Sequence, residues 1–300
     1  MTNGNFDPHI RLIDIHTDLE QIASLIEIAF AGQMDADGRD YLRHIRQISH
    51  TMGPYLLDGD TPETSQFPFH GYLWMEDDRI VGNLTLIPMR KQDNYTYFIA
   101  NVAVHPDYRG RGIGRQLTER AIAHVREHNG RRIYLQVRME NAVAIHIYQA
   151  AGFEAMDTRT TWFYADRDRY SVGKLPSLQV TRRNDTDWVQ QQAWLSDLYP
   201  PEIAWNLPFD LNRMKPGLLV KVTNFFNGIS SRSWSARQSG HLVGVATLET
   251  GISNTDYIWM ATSPVWEDLA IRSLVPLILS RSFRPQRIMI NYPYGRAQEA

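Results

Sequence analysis

The chain reads as an α/β (α+β) protein whose mixed central sheet, flanked by helices, is laid out twice, the second copy being degenerate. Three observations predict this. Strands and helices are interspersed in each half, and the later strands are separated by helices, an order that gives a mixed sheet with parallel pairing near its centre. Val81-Gly82-Asn83-Leu84-Thr85-Leu86 matches Val243-Gly244-Val245-Ala246-Thr247-Leu248, each after a polar turn, a repeat with a period of about 160 residues. Finally, 300 residues with 43% hydrophobic and 21% charged side chains fit two ordinary globular domains.

Residues 10–15 alternate apolar and polar side chains as a strand does. Thr17 with Glu20 has the spacing of a capping box, opening a helix through Ile22, Leu25, Ile26 and Ala29. Residues 32–38 are small and acidic and break it. Tyr41, Leu42, Ile45 and Ile48 mark a second helix, and the Pro-, Gly- and Asp-rich residues 53–68 a loop. Residues 69–75 and 80–88 form two strands joined by the polar turn Glu76-Asp77-Asp78-Arg79. Residues 95–104 are apolar on both faces, as a central strand is. A glycine-rich loop then opens a helix with Leu117, Ala121, Ile122 and Val125 on one face, ended by Gly130. Residues 133–137 form a strand, Asn141 opens a helix that Gly152 closes, and residues 153–164 supply the final strand or strands.

This assigns residues 1–165 to a first domain, 166–177 to a charged linker and 178–300 to a second domain. In the second, residues 178–183 are strand-like, 185–198 helical, 200–216 irregular, 233–237 and 242–248 a hairpin, 257–262 a strand, 266–280 a helix and 288–292 a strand.

The formal net charge of −2 gives no reason to expect nucleic acid or an anionic membrane as partner. Cysteine is absent, which removes disulfides and thiolate chemistry and suits a cytoplasmic protein. The N-terminus is polar, unlike a signal peptide, and no stretch approaches the roughly 18 apolar residues of a membrane span. The ten histidines read as scattered, with none read as a helical metal-ligand pair, so no metal is expected.

The chemistry concentrates in Val102-Ala103-Val104-His105-Pro106-Asp107-Tyr108-Arg109-Gly110-Arg111-Gly112-Ile113-Gly114-Arg115. Glycines between a strand and a helix let the backbone approach an anion closely. The N–H groups from Gly110 to Arg115 sit at the positive end of the helix dipole, and Arg109, Arg111 and Arg115 add charge. A pyrophosphate is the expected ligand. A tight turn with solvated arginines would look similar, but a second motif follows in Asn141-x-x-Ala144-x-x-x-Tyr148-x-x-x-Gly152-Phe153.

The two motifs together, in this order and on these elements, resemble the GNAT acetyltransferase superfamily. The resemblance covers residues 9–165 well and 178–300 in outline. It implies acetyl-CoA as co-substrate, held by Arg109, Gly110, Arg111, Gly112, Ile113, Gly114 and Arg115. It further implies a splay between the strands at 95–104 and 133–137, with the pantetheine arm pairing with the backbone of Val102 and Val104. A backbone N–H of Val102 or Ala103 would serve as oxyanion donor. Asn141 would contact the pantetheine region, although it also suits a helix N-cap. Tyr148, two turns on, would protonate the departing thiolate.

An amine acceptor must lose a proton, and residues 95–104 contain no carboxylate. Tyr97, Asn101 with a water, Asp35, Asp37 and Glu63 are candidate bases, and His105 reads as a turn residue. Asp35, Asp37, Asp40, Asp58, Asp60 and Glu63 hint at a cationic acceptor.

In the second half, Ser263-Pro264-Val265-Trp266-Glu267-Asp268 stands where the glycine loop should be, and its acids repel a pyrophosphate. Arg296 to Ala300 stands where Asn141 would map, so the last helix and strand are expected to be missing or truncated. Trp188, Trp194, Trp205, Trp234, Trp259 and Trp266 are expected mainly in the core, and also allow an acceptor cleft or a homodimer interface. The reading is an acetyl-CoA-dependent N-acetyltransferase acting by direct attack on a small-molecule or peptide amine. The alternatives are a non-catalytic acyl-CoA sensor or scaffold, and an amino-sugar acyltransferase resembling mycothiol synthases.

Overall fold

The computed structural model describes residues 6–32, 34, 36–51, 70–89, 96–164, 178–204, 207–251, 255–281 and 287–295. It divides into two compact units, Met1–Glu154 and Ala155–Ala300. The expected linker at 166–177, the acidic residues Asp35, Asp58, Asp60 and Glu63, Trp205, and residues 296–300 lie outside the described residues, as does the side chain of Asp37.

The first unit holds β1 (Ile10–Leu12), α1 (Leu19–Ala29), α2 (Ala36–Thr51), β2 (Gly71–Glu76), β3 (Arg79–Pro88), β4 (Thr96–Val104), α3 (Ile113–Glu127), β5 (Arg132–Leu135) and α4 (Ala142–Ala150). Its sheet has the order β1-β2-β3-β4-β5. All pairs are antiparallel except β4 with β5, which is parallel because α3 makes the crossover. Asp77 and Asp78 both have positive φ (45° and 61°), the twist that closes a two-residue hairpin. One core cluster packs α1 and α2 on one side of the sheet, around Leu19, Ile22, Ile45 and Leu73. Another packs α3 against β2, β3 and β4 through Trp74, Leu84, Ile99, Ile113 and Leu117.

The capping box at Thr17 is not formed. Asp18 is the N-cap of α1 and makes no side-chain cap bond. Its buried carboxylate instead accepts Arg11 Nη1 at 2.6 Å, Arg11 Nη2 at 2.8 Å and the Asp14 N–H at 2.7 Å. Burial alone would raise the Asp18 pKa, but these donors outweigh it and hold the carboxyl below its usual range.

The second unit holds β6 (Arg159–Tyr164), β7 (Gln179–Arg182), α5 (Trp188–Leu198), α6 (Pro201–Ala204), α7 (Leu211–Met214), α8 (Leu218–Phe226), β8 (Ser230–Gln238), β9 (His241–Thr250), β10 (Thr255–Thr262), α9 (Glu267–Arg281) and β11 (Arg287–Pro293). The sheet order is β6-β11-β10-β9-β8-β7. From β7 to β11 it repeats the first sheet, with β10 and β11 again the parallel pair.

Two details fix the alignment of the repeats. A Cβ on Gly82 would lie 2.7 Å from Ile113 of α3, and one on Gly244 would lie 2.7 Å from Ala270 of α9. Both glycines therefore let a helix press onto its sheet. The His105 N–H donates to Val81 O at 2.9 Å, and the Ser263 N–H to Val243 O at 3.0 Å.

The strand expected to close the first sheet belongs to the second. β6 pairs antiparallel with β11 from Ile288↔Tyr164 to Pro293↔Arg159. It is anchored by Arg159, whose Nε lies 2.5 Å from Asn291 Oδ1 and whose Nη1 donates to Leu198 O at 2.9 Å. The pairing satisfies a β11 edge that would otherwise expose its N–H and C=O groups. Thus a strand does stand at the position read as missing, supplied from upstream. Trp234 and Trp259 are core residues, Trp188 and Trp194 pack against that core, and Trp266 is 40% exposed.

Candidate active site

The site grows from a defect in β4. Between Asn83↔Ala103 and Thr85↔Ala100 the β3–β4 register shifts, leaving one extra residue on β4. Asn101 occupies the shift with φ 51°, a left-handed conformation Asn tolerates better than most residues. Two side chains hold it. Asn83 Nδ2 donates to Asn101 O at 2.8 Å, and Asn101 Nδ2 donates to the Tyr41 hydroxyl at 2.7 Å. Asn83 is fully buried and its Oδ1 has no hydrogen-bond partner. Burial raises the pKa of Tyr41, with the Asn101 bond opposing it.

Beyond this bulge the sheet opens. The β4–β5 ladder covers only Thr96↔Arg132 to Ile99↔Leu135; β5 ends at Leu135 while β4 runs on to Val104. The backbone of residues 100–104, including Val102, Ala103 and Val104, thus extends past the end of the neighbouring ladder. It is here that the resemblance implies a splay.

The turn after β4 begins with the short 3-10 helix Pro106–Tyr108, where the His105 ring accepts the Asp107 N–H at 3.4 Å. His105 is therefore a turn residue. Gly110 and Gly112 follow with φ 78° and 80°, and Gly112 is the N-cap of α3, whose first turn carries no acidic residue. The first N–H groups of a helix have no partner within it, so those of Ile113, Gly114 and Arg115 form a positive cradle.

Gly114 is the informative glycine. Its φ is ordinary, and a Cβ there would meet only Ile147 Cδ1 and Val104 Cγ2, each at 3.8 Å. Neither backbone conformation nor packing requires glycine. A glycine in the first turn that the fold does not need fits a site where a ligand approaches the backbone closely. Gly114 also locates the site, between Val104 of β4 and Ile147 of α4.

The three arginines differ. Arg109 donates from Nη2 to Ala29 O at 2.9 Å and from Nε to Val104 O at 3.3 Å, tying the end of α1 to the end of β4. Arg111 lies over the Tyr108 ring at 4.7 Å and Arg115 is 3.8 Å from Glu119; both are exposed. Asn141 caps α4, accepting the Ala144 N–H at 3.1 Å. Tyr148 is buried on α4, edge-on to Phe153 at 5.9 Å, and burial pushes its pKa up to about 12.

The matching place in the second unit is furnished differently. The Glu267 carboxylate, at the start of α9, accepts the Tyr292 hydroxyl and also Thr262 Oγ1 at 3.3 Å. Tyr292 of β11 lies 2.8 Å from Thr262 of β10 through its hydroxyl. A half-buried carboxylate and a buried phenol thus stand where the first unit presents free N–H groups.

Sequence reasoning passed over Tyr41 and Asn83, whose roles depend on a bulge that carries no sequence motif. It also missed a histidine pair: His124 and His128 stand four residues apart at the end of α3 with Glu127 between them. That spacing was legible as His-x-x-Glu-His.

Residues 39–153 match the acetyltransferase (GNAT) family model, a stretch lying wholly in the first unit. Over 71 residues the chain is 37% identical to the ribosomal protein bS18-alanine N-acetyltransferase of Escherichia coli (strain K12), covering 24% of this chain and 47% of that protein. It is 28% identical over 124 residues to the putative ribosomal protein bS18-alanine N-acetyltransferase of Bacillus subtilis (strain 168), covering 41% and 80%. The chain spans less than two thirds of the length of the first of the relatives it matches. In fold it is similar to a GCN5-related N-acetyltransferase from Sphaerobacter thermophilus, with a TM-score of 0.54 at 14% identity, covering 99% of this chain and 90% of that one.

Proposed function

We propose that the first unit, whose residues 39–153 match the acetyltransferase (GNAT) family model, transfers an acetyl group from acetyl-CoA to the amine of a peptide or small molecule. The observation that carries this reading is Gly114, a glycine between β4 and α4 that the fold itself does not require.

Acetyl-CoA supplies the acetyl group as an activated thioester. The N–H groups from Gly110 to Arg115 bind its pyrophosphate at the start of α3, with Arg111 and Arg115 adding positive charge. Arg109 acts indirectly, by holding the end of β4 in place. The backbone of Val102 and Val104 pairs with the pantetheine arm as an added strand would, and the N–H of Val102 or Ala103 stabilises the oxyanion. The acceptor nitrogen bonds to the acetyl carbon as the C–S bond breaks. The nitrogen gives up a proton to water, and the sulfur receives one from Tyr148, which at a pKa of about 12 is protonated throughout the neutral range and is reprotonated from solvent after the transfer. Asn141 positions α4, and thereby Tyr148, through its cap.

The missing carboxylate on β4 narrows the acceptor. A lysine amine, with pKa near 10.4, is unprotonated in fewer than about one molecule in a thousand at neutral pH, whereas an α-amine at about 7.7–8.0 is so in about a tenth. A central strand without a carboxylate therefore suits an α-amine. The similarity to enzymes named for the alanine of a ribosomal protein points the same way. The second unit, with Glu267 in the matching position, is read as not holding acetyl-CoA.

The test measures CoA-thiol release with the purified chain and three acceptors: a peptide with a free N-terminal alanine, an N-acetylated peptide bearing one lysine, and an amino sugar. Turnover is expected chiefly with the first. Turnover confined to either of the others removes the α-amine reading, and acetyl-CoA binding without turnover on any amine favours a sensor.

A further inference from the structure

At the far end of α3 from the glycine loop, four side chains form a cluster that acetyl transfer does not use. His124 and His128 lie four residues apart, with rings stacked at 4.0 Å and 20°. His70, just before β2, brings its Nε2 to 3.1 Å from His124 Nε2. Glu127 completes the group; among the described residues, one ligand atom each of His124, Glu127 and His128 lies within 4.8 Å of the others. We propose that His124, His128 and Glu127 bind one divalent transition-metal ion of the Zn2+ type, with His70, which reaches His124, turning in as the fourth ligand.

The hydrogen bonds orient the rings for this task. His128 Nδ1 lies 2.8 Å from His124 O. A carbonyl oxygen only accepts, so Nδ1 carries the proton and Nε2 keeps its lone pair. His124 Nδ1 is 2.8 Å from the Tyr72 hydroxyl, which leaves its Nε2 for the other side of the ring. An outer partner on the remote nitrogen of each ring is what metal-binding histidines use to set tautomer and direction.

The spacing suits an ion. Metal–nitrogen bonds of about 2.0–2.1 Å put two ligand nitrogens roughly 2.9 Å apart at a right angle and roughly 3.4 Å apart at a tetrahedral one. The 3.1 Å between His70 and His124 falls within that interval. Without an ion, one proton must sit between these two nitrogens; the ion takes its place, and the proton moves to the remote nitrogen of its own ring. Glu127 already accepts Arg120 Nη1 at 3.2 and 3.3 Å, and a carboxylate has lone pairs enough for a cation on each side. Three imidazoles and a carboxylate match Zn2+ and its neighbours, whereas Ca2+ and Mg2+ want oxygen throughout. The bound ion would pin the start of β2 to the end of α3.

The test uses the untagged full chain, stripped with chelator and titrated with Co2+ by visible absorption and with Zn2+ by calorimetry in buffers of different ionisation enthalpy. One equivalent should bind, with ligand-field bands from Co2+. His70→Ala and His128→Ala should each abolish the bands while circular dichroism stays native. Tyr72→Phe should weaken binding about 10–100-fold, as loss of an outer partner does. No saturable binding by the unmodified chain overturns the proposal, whatever the variants do. So does an affinity unchanged in the His70→Ala/His128→Ala double variant. Neither outcome bears on acetyl-CoA, which is absent from the experiment.

Discussion

Gly114→Ala separates the demands of the fold from those of the ligand. Gly114 is the second residue of α3 and its φ is ordinary. An alanine Cβ would meet Ile147 and Val104 at 3.8 Å, ordinary contact, and would displace nothing. The fold therefore gains helix propensity and loses unfolded-state entropy, together about 0.5–1 kcal/mol. For a unit of this size that raises Tm by about 1–4 °C. Ligand binding should move the other way. A methyl group in the cradle holds the pyrophosphate off the N–H groups, and each charge-assisted hydrogen bond lost is worth about 1.5–3 kcal/mol, or roughly 10–150-fold in Kd. Differential scanning calorimetry and acetyl-CoA titration on the same preparation read both signs. Gly82→Ala is the control: its Cβ would sit 2.7 Å from Ile113 and 2.9 Å from Trp74, so overpacking should cost about 1–3 kcal/mol. If Gly114→Ala binds acetyl-CoA as tightly as the unmodified chain, the cradle assignment is wrong. If it lowers Tm, the packing argument is wrong.

Three further outcomes are expected. Tyr148→Phe should lower kcat by about 10²–10⁴-fold, the usual span of general acid catalysis, with the acetyl-CoA Kd unchanged; an unaltered kcat in stopped-flow thiol detection removes the role. Asn101→Gly keeps the left-handed backbone but loses the Tyr41 bond, whereas Asn101→Val also strains the bulge by about 1–2 kcal/mol, so chemical denaturation should rank Val below Gly, and equal stabilities would show that the φ of 51° is not held in solution. Asp18 is held ionised in the fold below its ordinary pKa, so its contribution is present above about pH 3.9 and is lost as pH falls through the lower folded value; acid titration of Asp18→Asn should lack that part of the slope, and a slope equal to that of the unmodified chain would refute the Arg11–Asp18 account.

Much of the fold was legible because its signals are local. The alternation of β2 and β3, the apolar run of β4 and the glycines before α3 are all written in consecutive residues. What escaped depends on partners far away in the chain. The capping box failed because Arg11 recruits Asp18, a competition the Thr17–Glu20 spacing does not reveal. α8 went unread because its apolar residues face outward: Leu218, Leu219, Phe225 and Phe226 are all more than 75% exposed. β6 was assigned to the wrong sheet because a strand's sequence gives its alternation but not its neighbour, which here lies more than a hundred residues downstream. In the site, the glycine loop and Asn141 were readable as motifs. The Tyr41–Asn101–Asn83 chain was not, since it exists only once β4 has bulged.

The two halves show how little separates a ligand cradle from a filled core. Both place a helix on a sheet through a glycine, and both send a backbone N–H from the strand end to the same carbonyl on the preceding strand. The first unit then leaves the helix start without acids and ends β5 early, so backbone donors face an opening. The second runs β11 on to Tyr292, whose hydroxyl donates to Glu267 at the helix start. A carboxylate there satisfies the same electrostatic demand that an anion meets in the first unit, and burial raises the pKa of Tyr292 so that the phenol remains a donor. The second unit thus supplies its own anion to a helix end that the first leaves without an acid. Its stability at that point comes from the chain alone, whereas the first unit should gain stability from acetyl-CoA by mass action.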